Sequence, residues 1–508
     1  MPFDPHLSRR QLLGALGGSL GLSLLAACSA PIDPVGTAPR SSSAAPRGPR
    51  SGPASVRSWA ANRGTPFWIA HRGAGDVYPE HSLPSYRAAV DMGAPCLEVS
   101  VNMTSDGVLI CMHDLTYDRT TTGKGVIAQQ SSEVLAKIGI RQPQLGPAWV
   151  AEPLPEVPRL EAVLKEFGGK VVICLEAKDD AAYPSMMALV RRLDLSDSVI
   201  VKAYYSSVRI PEAKAAGFRI FSYLSPADMN ETTIAAAAAR LDRNDLLVLP
   251  ADPGDYVTYY PDELIAAAKA HRVPLVVYPI HRRADAAHYF ELGVSGAVTS
   301  DYGYTSTGTA ATSYDTWSSK RISAGEKPKM PDSRSLAGAW TSINEFTLST
   351  DDPRQFVTLG QFCPIPAASS QYRVKFSATW SRLPADPTAA LSLAFCHDDD
   401  RYYEDGMSFS EGYHATMSPD GTLRIYRHSA AAPDELLGQV RTPSVQAGQW
   451  VSLRLDVSPK SLIWSRTDLA DAQQVVVHDS AARGGYLTIG RSSSDPRAAL
   501  SLREFTVG

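Results

Sequence analysis

Two histidines that follow short apolar runs are the residues of this chain best suited to acid–base chemistry. His71 and Arg72 directly follow the run 67–70, and His113 follows the run 108–112. At the ends of buried strands, one imidazole can accept a proton while the other donates one, and an arginine can hold a phosphate through two parallel hydrogen bonds. These residue types together suit the cleavage of a phosphodiester, whereas a single strand-end histidine is more often structural.

Acidic side chains occupy comparable positions on two further apolar runs. Glu98 lies in the run 96–101, and Glu176 and Lys178 follow the run 171–175. Two carboxylates that converge on one site repel each other, so we expect a hard divalent cation, Ca²⁺ or Mg²⁺, between them. Residues two apart in a strand point to the same face. This favours Glu176 and Lys178 as two functional groups inside a barrel over the alternative of a direct ion pair at its rim.

The elements that would position these residues alternate between strand-like runs and helix-like stretches. Eight strand-like runs recur between residues 61 and 305, at 67–70, 96–101, 171–175, 199–203, 219–224, 246–249, 275–278 and 297–299. Helix-like stretches at 82–92, 159–167, 181–193 and 263–271 separate some of them. This pattern predicts an α/β fold, a closed TIM (β/α)₈ barrel with its site at the carboxyl ends of the strands. The turn 104–107, which ends in Asp-Gly, predicts a hairpin that adds the run 108–112 beside Glu98.

The first sixty residues have the composition of an export signal followed by a tether. Arg9 and Arg10 precede the weakly apolar stretch 12–27, which is typical of a twin-arginine signal. The residues before Cys28 resemble a bacterial lipobox, which predicts a lipid-anchored surface protein; the alternative is a plain cleavage site with an incidental cysteine. Residues 29–60 are rich in Pro, Ser, Ala, Gly and Arg, and we expect a disordered tether.

Composition excludes some classes of protein and leaves others open. The formal net charge of the 508 residues is −4, which gives no electrostatic support for a nucleic-acid partner. Cys96, Cys111 and Cys174 lie in apolar runs and are expected to be buried. Cys363 and Cys396 have a spacing that neither requires nor excludes a disulfide.

The remaining chain changes character after a linker at 306–336. Residues 337–508 show short alternating runs without helical periodicity, at 355–362, 372–380, 390–395, 422–427, 450–457, 462–464, 486–489 and 500–507. The pattern predicts an all-β sandwich of the jelly-roll type that is similar to concanavalin and laminin-G domains. Such a domain suggests binding of a carbohydrate or cell-wall polymer. The segment 397–400, with Tyr402 and Tyr403, could be a calcium or sugar-stacking loop or a solvated loop.

An ordered set of motifs in the first domain resembles the glycerophosphodiester phosphodiesterase family, a group of TIM barrels. The matching stretches are Ile69-Ala70-His71-Arg72-Gly73, Pro79-Glu80-His81-Ser82, Cys96-Leu97-Glu98-Val99-Ser100-Val101, Thr104-Ser105-Asp106-Gly107, His113-Asp114, Asp118-Arg119-Thr120-Thr121, Leu175-Glu176-Ala177-Lys178 and the closing stretch 292–301. The resemblance spans roughly residues 67–303.

The resemblance assigns a role to each candidate residue. It implies that His71 and His113 are the acid–base pair, and that Arg72 and Lys178 bind the substrate phosphate. It also implies that Glu98 and Glu176 bind a divalent metal ion. Glu80 resembles an acidic residue of the family, although it could equally cap the helix that begins near Ser82.

Two positions depart from the family's usual pattern. Ser100 stands where the family usually has an aspartate, so that a metal ligand is replaced by a weaker neutral oxygen. His81 stands where the family commonly has an asparagine, and we expect it to hydrogen-bond within its loop instead of contacting substrate. These departures bear on metal binding and substrate identity, and they leave the two-histidine chemistry intact.

We therefore expect an exported phosphodiesterase that cleaves glycerophosphodiesters to glycerol phosphate and an alcohol. One alternative is a phospholipase D-like or sphingomyelinase D-like enzyme that releases a cyclic phosphate. A second alternative is a surface-binding protein whose barrel has lost catalysis, for which Ser100 is the main support.

Overall fold

The computed structural model describes two regions of the chain. The first is residues 54–307, apart from 77, 143–144, 146–148, 150–152, 255–257 and 301. The second is residues 339–507, apart from 343–344, 349–353, 358–370, 387–388, 401–410, 430 and 493–497. The predicted export signal, Cys28 and nearly all of the tether and linker lie outside the described residues.

A closed parallel barrel forms the first region, as the sequence predicts. Its strands are β1 (Phe67–Ala70), β2 (Cys96–Met103), β4 (Val172–Ala177), β5 (Val199–Tyr204), β6 (Arg219–Tyr223), β7 (Leu246–Pro250), β8 (Leu275–Ile280) and β9 (Gly296–Thr299). They pair in the order β1-β9-β8-β7-β6-β5-β4-β2, and the pairing of Ala70 with Leu97 joins β1 to β2 and closes the barrel. Closure brings the carboxyl ends of all eight strands to one mouth.

Helices connect most of these strands. They are α1 (Val56–Asn62), α2 (Leu83–Asp91), α3 (Leu160–Phe167), α4 (Ala182–Arg192), α5 (Arg209–Ala215), α6 (Glu231–Ala238), α7 (Asp262–Ala270), α8 (Arg283–Glu291) and α9 (Tyr302–Thr307). Short 3₁₀ turns include Ile127–Gln129, Ser132–Lys137, Ser196–Ser198 and Pro226–Asp228. Among the helices that the structure describes, none has both the length and the apolar character needed to span a bilayer.

Strand alternation fills the barrel interior with apolar side chains and places charge at its mouth. Cys96, Cys174, Ile200 and Phe221 belong to one buried cluster inside the barrel. Two residues further along their strands, on the same face, stand Glu98, Glu176, Lys202 and Tyr223. The polar site therefore lies directly above the packed interior.

Helix α1 closes the opposite end of the barrel. Val56 and Trp59 pack in the same interior cluster as Phe67, and Ser55 caps the helix by accepting a hydrogen bond from the Ser58 amide. The helix begins within the segment 29–60 that we predict as a tether. Val56 and Trp59 lie one turn apart and together have enough apolar surface to join the barrel core. The polar residues around them hide this helix in the sequence composition.

The predicted hairpin after β2 is confirmed. Strand β3 (Leu109–Cys111) pairs antiparallel with β2, and Gly107 in the turn has a φ of 85°, which a residue with a Cβ rarely adopts. Strand β3 ends two residues before His113. The hairpin thus carries this histidine to the barrel mouth.

The second region forms two antiparallel sheets, in agreement with the predicted sandwich. One sheet has the order β10-β11-β22-β13-β18-β19-β20 and the other β12-β21-β14-β15-β16-β17. The strands are β10 (Ala339–Ser342), β11 (Glu345–Leu348), β12 (Arg354–Val357), β13 (Tyr372–Trp380), β14 (Ala390–His397), β15 (Gly412–Met417), β16 (Thr422–Ser429), β17 (Ala432–Arg441), β18 (Val451–Val457), β19 (Leu462–Arg466), β20 (Gln473–Val477), β21 (Tyr486–Ser492) and β22 (Leu500–Val507). Five of these strands, β10, β11, β15, β17 and β20, are absent from the sequence prediction. Strand β17 alternates only weakly, because all 10 of its residues are exposed or half-buried.

The three cysteines that lie in apolar runs of the barrel are buried, as expected. Cys96, Cys111, Cys174 and Cys396 are free thiols among the described residues, and each is buried. Cys363 lies outside the described residues.

The segment 397–400, with its run of acidic residues, joins the sandwich to the barrel. Asp400 is buried, and its carboxylate accepts hydrogen bonds from the backbone amides of Arg283 (2.6 Å) and Ala284 (3.0 Å) at the start of α8. The hydroxyl of Tyr304 donates a third hydrogen bond over 2.8 Å. A carboxylate at a helix N-terminus satisfies amides that have no partner within the helix. At Asp400 this corrects the expectation of a solvated, calcium or sugar loop; Tyr402 and Tyr403 lie outside the described residues.

Candidate active site at the barrel mouth

The candidate residues meet at the carboxyl ends of neighbouring strands. His71 and Arg72 follow β1, Glu98 and Ser100 lie within β2, and the remaining candidates lie at or after β3 and β4. Glu98, Ser100 and Glu176 are buried, whereas the two histidines, Arg72 and Lys178 are half-buried. Burial makes each charged group dependent on a partner inside the protein.

A lysine that the sequence analysis did not single out lies between the two glutamates. The ammonium Nζ of Lys202 is 2.6 Å from Oε1 of Glu98 and 2.8 Å from Oε2 of Glu176. The hydroxyl of Ser100 lies 3.4 Å and 3.5 Å from the same two oxygens. Burial alone lowers the pKa of Lys202, but the charges of Glu176 and Glu98 outweigh it and raise this pKa above its usual value.

The other carboxylate oxygens also accept hydrogen bonds. Oε2 of Glu98 accepts one from the backbone amide of Arg72 at 3.0 Å. Oε1 of Glu176 accepts one from the Tyr223 hydroxyl at 2.6 Å and one from Nζ of Lys178 at 3.3 Å. The last contact corrects the expectation that Glu176 and Lys178 avoid a direct pair. Burial opposes ionisation of Glu176, but the nearby lysines dominate and lower its pKa to about 2.

The family resemblance of the sequence implies a divalent cation at Glu98 and Glu176, which raises the question of whether these residues fit one. In the part of the chain that the structure describes, no group of three or more His, Cys, Asp or Glu side chains is arranged to hold a metal ion. Glu98 and Glu176 come together as predicted, but the ammonium of Lys202 lies between them. The donor set fits an ammonium and does not fit Ca²⁺ or Mg²⁺.

Each candidate acid–base histidine has a hydrogen-bond partner that orients its ring. Nδ1 of His71 lies 2.8 Å from the Ser300 hydroxyl, and Nδ1 of His113 lies 2.9 Å from Oδ1 of Asp114. Nε2 of His113 is 3.5 Å from Nζ of Lys178. Burial is the largest cause that lowers both pKa values, well below 6.5 for His71 and to about 4 for His113. Both imidazoles are therefore neutral at pH 7, and a neutral imidazole can accept a proton.

Glu80 organises a network of ion pairs and does not cap a helix. Its Oε1 is 2.9 Å from Nη1 of Arg72, and the two oxygens receive two hydrogen bonds of 2.7 Å from Arg119. Arg119 also donates to both carboxylate oxygens of Asp114, at 2.7 and 2.9 Å. The N-cap of α2 is Ser82. Glu80 and Arg119 thus connect the phosphate-binding candidate Arg72 to Asp114, the partner of His113.

The backbone turn after His71 explains the glycine that follows Arg72. Arg72 has a φ of 53° and Gly73 a φ of 90°. A Cβ on Gly73 would lie 2.4 Å from Oγ of Ser85 and 2.8 Å from the Ser85 carbonyl carbon, which is closer than atoms can pack. Only glycine fits, and the tight turn aims the Arg72 amide at Glu98.

His81 hydrogen-bonds within its loop, as expected. It is buried, and its Nδ1 lies 2.7 Å from the Tyr86 hydroxyl. Burial is the largest cause that lowers its pKa, to about 3. This histidine is therefore neutral in the folded protein at physiological pH.

Sequence reasoning missed several residues at the mouth. Lys202, Tyr223 and Arg119 contact the candidates directly, and His281, after β8, lies 2.6 Å from Oδ2 of Asp76. Lys202 carried a usable signal, since it is a charge inside the apolar run 199–203. Arg119 lies within the stretch 118–121 that resembles the family, but the resemblance gave it no role.

Known proteins that are similar to this chain match it over the barrel region. Residues 71–303 match the Glycerophosphoryl diester phosphodiesterase family. A glycerophosphodiester phosphodiesterase of Bacillus subtilis is 26% identical over 260 residues, which cover 46% of this chain and 82% of that protein. One from Caldanaerobacter subterraneus is 27% identical over 242 residues, 46% of this chain and 93% of that protein. An Oleispira antarctica phosphodiesterase, solved with the product sn-glycerol-3-phosphate, aligns with 17% identity and a TM-score of 0.41, over 49% of this chain and 97% of its own.

The buried state of His81 predicts a pH dependence of stability. Its pKa is about 3 when folded and near 6.5 when unfolded, so the unfolded chain binds the extra proton between these values. The free energy of unfolding should therefore fall as the pH falls from about 6.5, by at most about 1.4 kcal/mol per pH unit for this group. Urea unfolding at pH 7 and pH 5 should show a smaller loss in His81→Asn than in the wild type.

Titration of the buried carboxylates does not contribute to the difference in stability between pH 7 and pH 5. Glu80 and Glu98 have lowered pKa values, so their stabilising contribution is lost only below about pH 4.5, outside the measured range. Equal pH slopes for the wild type and His81→Asn would contradict the prediction.

Proposed function

We propose that the barrel, whose residues 71–303 match the glycerophosphoryl diester phosphodiesterase family, hydrolyses glycerophosphodiesters to glycerol phosphate and an alcohol. The observation that carries this proposal is the pair of neutral, oriented imidazoles at a mouth that also holds Arg72 and Lys178. Phosphodiester cleavage needs a base for the nucleophile, an acid for the leaving oxygen and positive charge for the phosphate. The similar proteins named as glycerophosphodiester phosphodiesterases support the substrate class.

His113 has the geometry of a general base. Asp114 accepts a hydrogen bond from Nδ1–H of His113, which leaves the lone pair on Nε2, beside Lys178. Nε2 takes the proton from the attacking hydroxyl, either water or a neighbouring hydroxyl of the substrate. Once charged, the imidazolium is stabilised by Asp114, which Arg119 holds in place.

His71 is the complementary acid. With the negatively charged phosphate bound beside it, His71 takes up a proton from solvent water and delivers it to the leaving oxygen as the phosphorus–oxygen bond breaks, and His113 afterwards returns its proton to solvent. Arg72 and Lys178 hold the phosphate oxygens while the new phosphorus–oxygen bond forms on the opposite side. The positive charge between Glu98 and Glu176 in this scheme is the ammonium of Lys202 and not a metal ion.

We further propose that the protein acts outside the cytoplasmic membrane as a lipoprotein. The support is the sequence alone, namely Arg9 and Arg10 before an apolar stretch and a lipobox-like segment that ends at Cys28.

We also propose that the sandwich binds a carbohydrate or cell-wall polymer and presents phosphodiester-containing chains, such as teichoic-acid-like polymers, to the barrel. The Asp400 contact supports this proposal, because it attaches the sandwich to α8, the helix that follows β8 and His281. A βα connection of a barrel lies on the face where the site opens.

The proposed reaction predicts that both histidines are required. His71→Ala and His113→Ala should each lower kcat/KM on a small glycerophosphodiester by roughly 10²- to 10⁴-fold, the usual value of general acid–base catalysis. Phosphorus NMR of the wild-type reaction should show glycerol phosphate. Accumulation of a cyclic phosphate would favour the phospholipase D-like alternative, and absence of turnover in the folded wild type would favour a binding-only protein.

The proposed anchor predicts a change in location when Cys28 is lost. In a bacterial host with a twin-arginine pathway, the wild-type chain should fractionate with membranes, and Cys28→Ser should release it in exported, soluble form. Replacing Arg9 and Arg10 by lysines should retain it inside the cell. Membrane association that is the same in Cys28→Ser and the wild type would contradict lipid anchoring.

The proposed role of the sandwich predicts that its attachment matters for polymers. Asp400→Ala removes a helix cap and should lower the free energy of unfolding by roughly 1–2 kcal/mol. Its kcat/KM should fall more on a teichoic-acid-like polymer than on a small glycerophosphodiester. Asp398→Ala, at an exposed neighbouring position, is the matched control; equal losses on both substrates in Asp400→Ala would argue against the proposal.

A further inference from the structure

We propose that the ammonium of Lys202 permanently takes the place of a divalent cation between Glu98 and Glu176, so that this phosphodiesterase works with a charge built into its own chain. The inference rests on the proposed function for its catalytic part. Its structural part, that these carboxylates exclude a divalent ion, stands on the contacts alone.

The contacts of the two carboxylates exclude a second cation. Nζ of Lys202 lies 2.6 Å and 2.8 Å from one oxygen of each glutamate. Ca²⁺ and Mg²⁺ bind oxygens at about 2.0–2.6 Å, so an ion that bridged these two oxygens would have to stand where the ammonium stands. The remaining oxygen of each carboxylate already accepts hydrogen bonds, from the Arg72 amide on Glu98 and from Tyr223 and Lys178 on Glu176.

The surroundings of Lys202 are built for an ammonium. Its side chain is 8% exposed, and it rises from β5 directly above Ile200 of the apolar interior. Nζ lies 4.9 Å from the ring centre of Tyr223 and 5.6 Å from that of Phe221, within the range of cation–π attraction. The lysine therefore reaches the carboxylates from inside the barrel.

Ser100 is the matching half of this arrangement. An aspartate at this position would add a third carboxylate next to Glu98 and Glu176, which the single charge of an ammonium could not balance. Three carboxylates around a divalent ion carry a net charge of −1, and two carboxylates around an ammonium carry the same. The serine and the lysine, on strands β2 and β5, thus conserve the charge of the site with a different cation.

Lys202 acts as a positioning residue in this scheme. Buried below the glutamates, it fixes Glu98, which accepts the amide hydrogen of Arg72, and Glu176, which contacts Lys178. A metal ion would coordinate the phosphate itself. Here direct contact with the phosphate falls to Arg72 and Lys178.

The first test uses the wild-type, full-length protein. With chelator present, kcat/KM on a small glycerophosphodiester should stay within about twofold of the untreated value, and calorimetric titration with CaCl₂ or MgCl₂ should show no stoichiometric binding. Chelator-induced loss of more than tenfold that Ca²⁺ or Mg²⁺ reverses, or binding of one ion per chain, would overturn the proposal.

The second test changes the cation. Lys202→Met should lower kcat/KM by roughly 10- to 100-fold, the effect of removing groups that orient a site. Ser100→Asp alone should bind no divalent ion, because Lys202 still occupies the space. The double variant Ser100→Asp with Lys202→Ser should bind one Ca²⁺ or Mg²⁺ ion by calorimetry, show a metal-dependent rise in Tm and regain activity only with metal.

Different outcomes test the exclusion of metal by Lys202 and the proposed phosphodiesterase activity. Metal binding by Ser100→Asp with Lys202 intact, or wild-type kcat/KM in Lys202→Met, would refute the proposed role of Lys202. If Lys202→Met does not fold, the calorimetry of the wild type and of Ser100→Asp still decides whether the lysine excludes metal. Absence of turnover in a folded wild type that binds no metal would refute the proposed function and leave the assignment of the cation position standing.

Discussion

The arrangement of the barrel mouth depends on the ion pairs between one ammonium and two buried carboxylates. Glu98 and Glu176 lie on adjacent strands above an apolar interior, where an unpaired carboxylate would be strongly destabilising. Lys202 neutralises part of their charge, and hydrogen bonds from Arg72 and Tyr223 satisfy other oxygens. The same bonds that allow the carboxylates to be buried also fix the backbone from which Arg72 projects.

A second network performs a similar task on the hairpin side of the mouth. Arg119 lies between Glu80 and Asp114, and through them it orients Arg72 and His113. Because the guanidinium is planar and holds both carboxylates through paired hydrogen bonds, it restricts their rotation. Of the two proposed acid–base histidines, His113 is oriented by Asp114 of this network, whereas His71 is oriented separately by the Ser300 hydroxyl.

The sandwich is joined to this machinery through a helix terminus. Asp400 satisfies two amides at the start of α8, just after the strand that ends near His281. A buried carboxylate in this position also accepts a bond from Tyr304, so the contact involves two elements of the barrel. The attachment explains why an acidic segment that resembles a solvated loop has a buried residue at its end.

The sequence by itself determined the barrel, the sandwich and the residues that stand at the strand ends. Apolar runs of strand length and turn residues such as Gly107 are local signals, and they place His71, Glu98, His113 and Glu176 without knowledge of the fold. Weakly alternating strands such as β17 gave no such signal, because their side chains are mostly exposed.

Only the tertiary structure decided which charges pair. Lys202 is 104 positions from Glu98 along the chain. Closure of the barrel makes them neighbours, because the alternation of side chains along each strand points both into the barrel. The sequence could show that a buried pair of carboxylates needs a positive partner. It does not distinguish a metal ion from a lysine, because either one can supply that charge. The lysine takes this position because its Nζ lies 2.6 Å and 2.8 Å from the two carboxylates. Those distances are set by the register of the strands, which the sequence does not give.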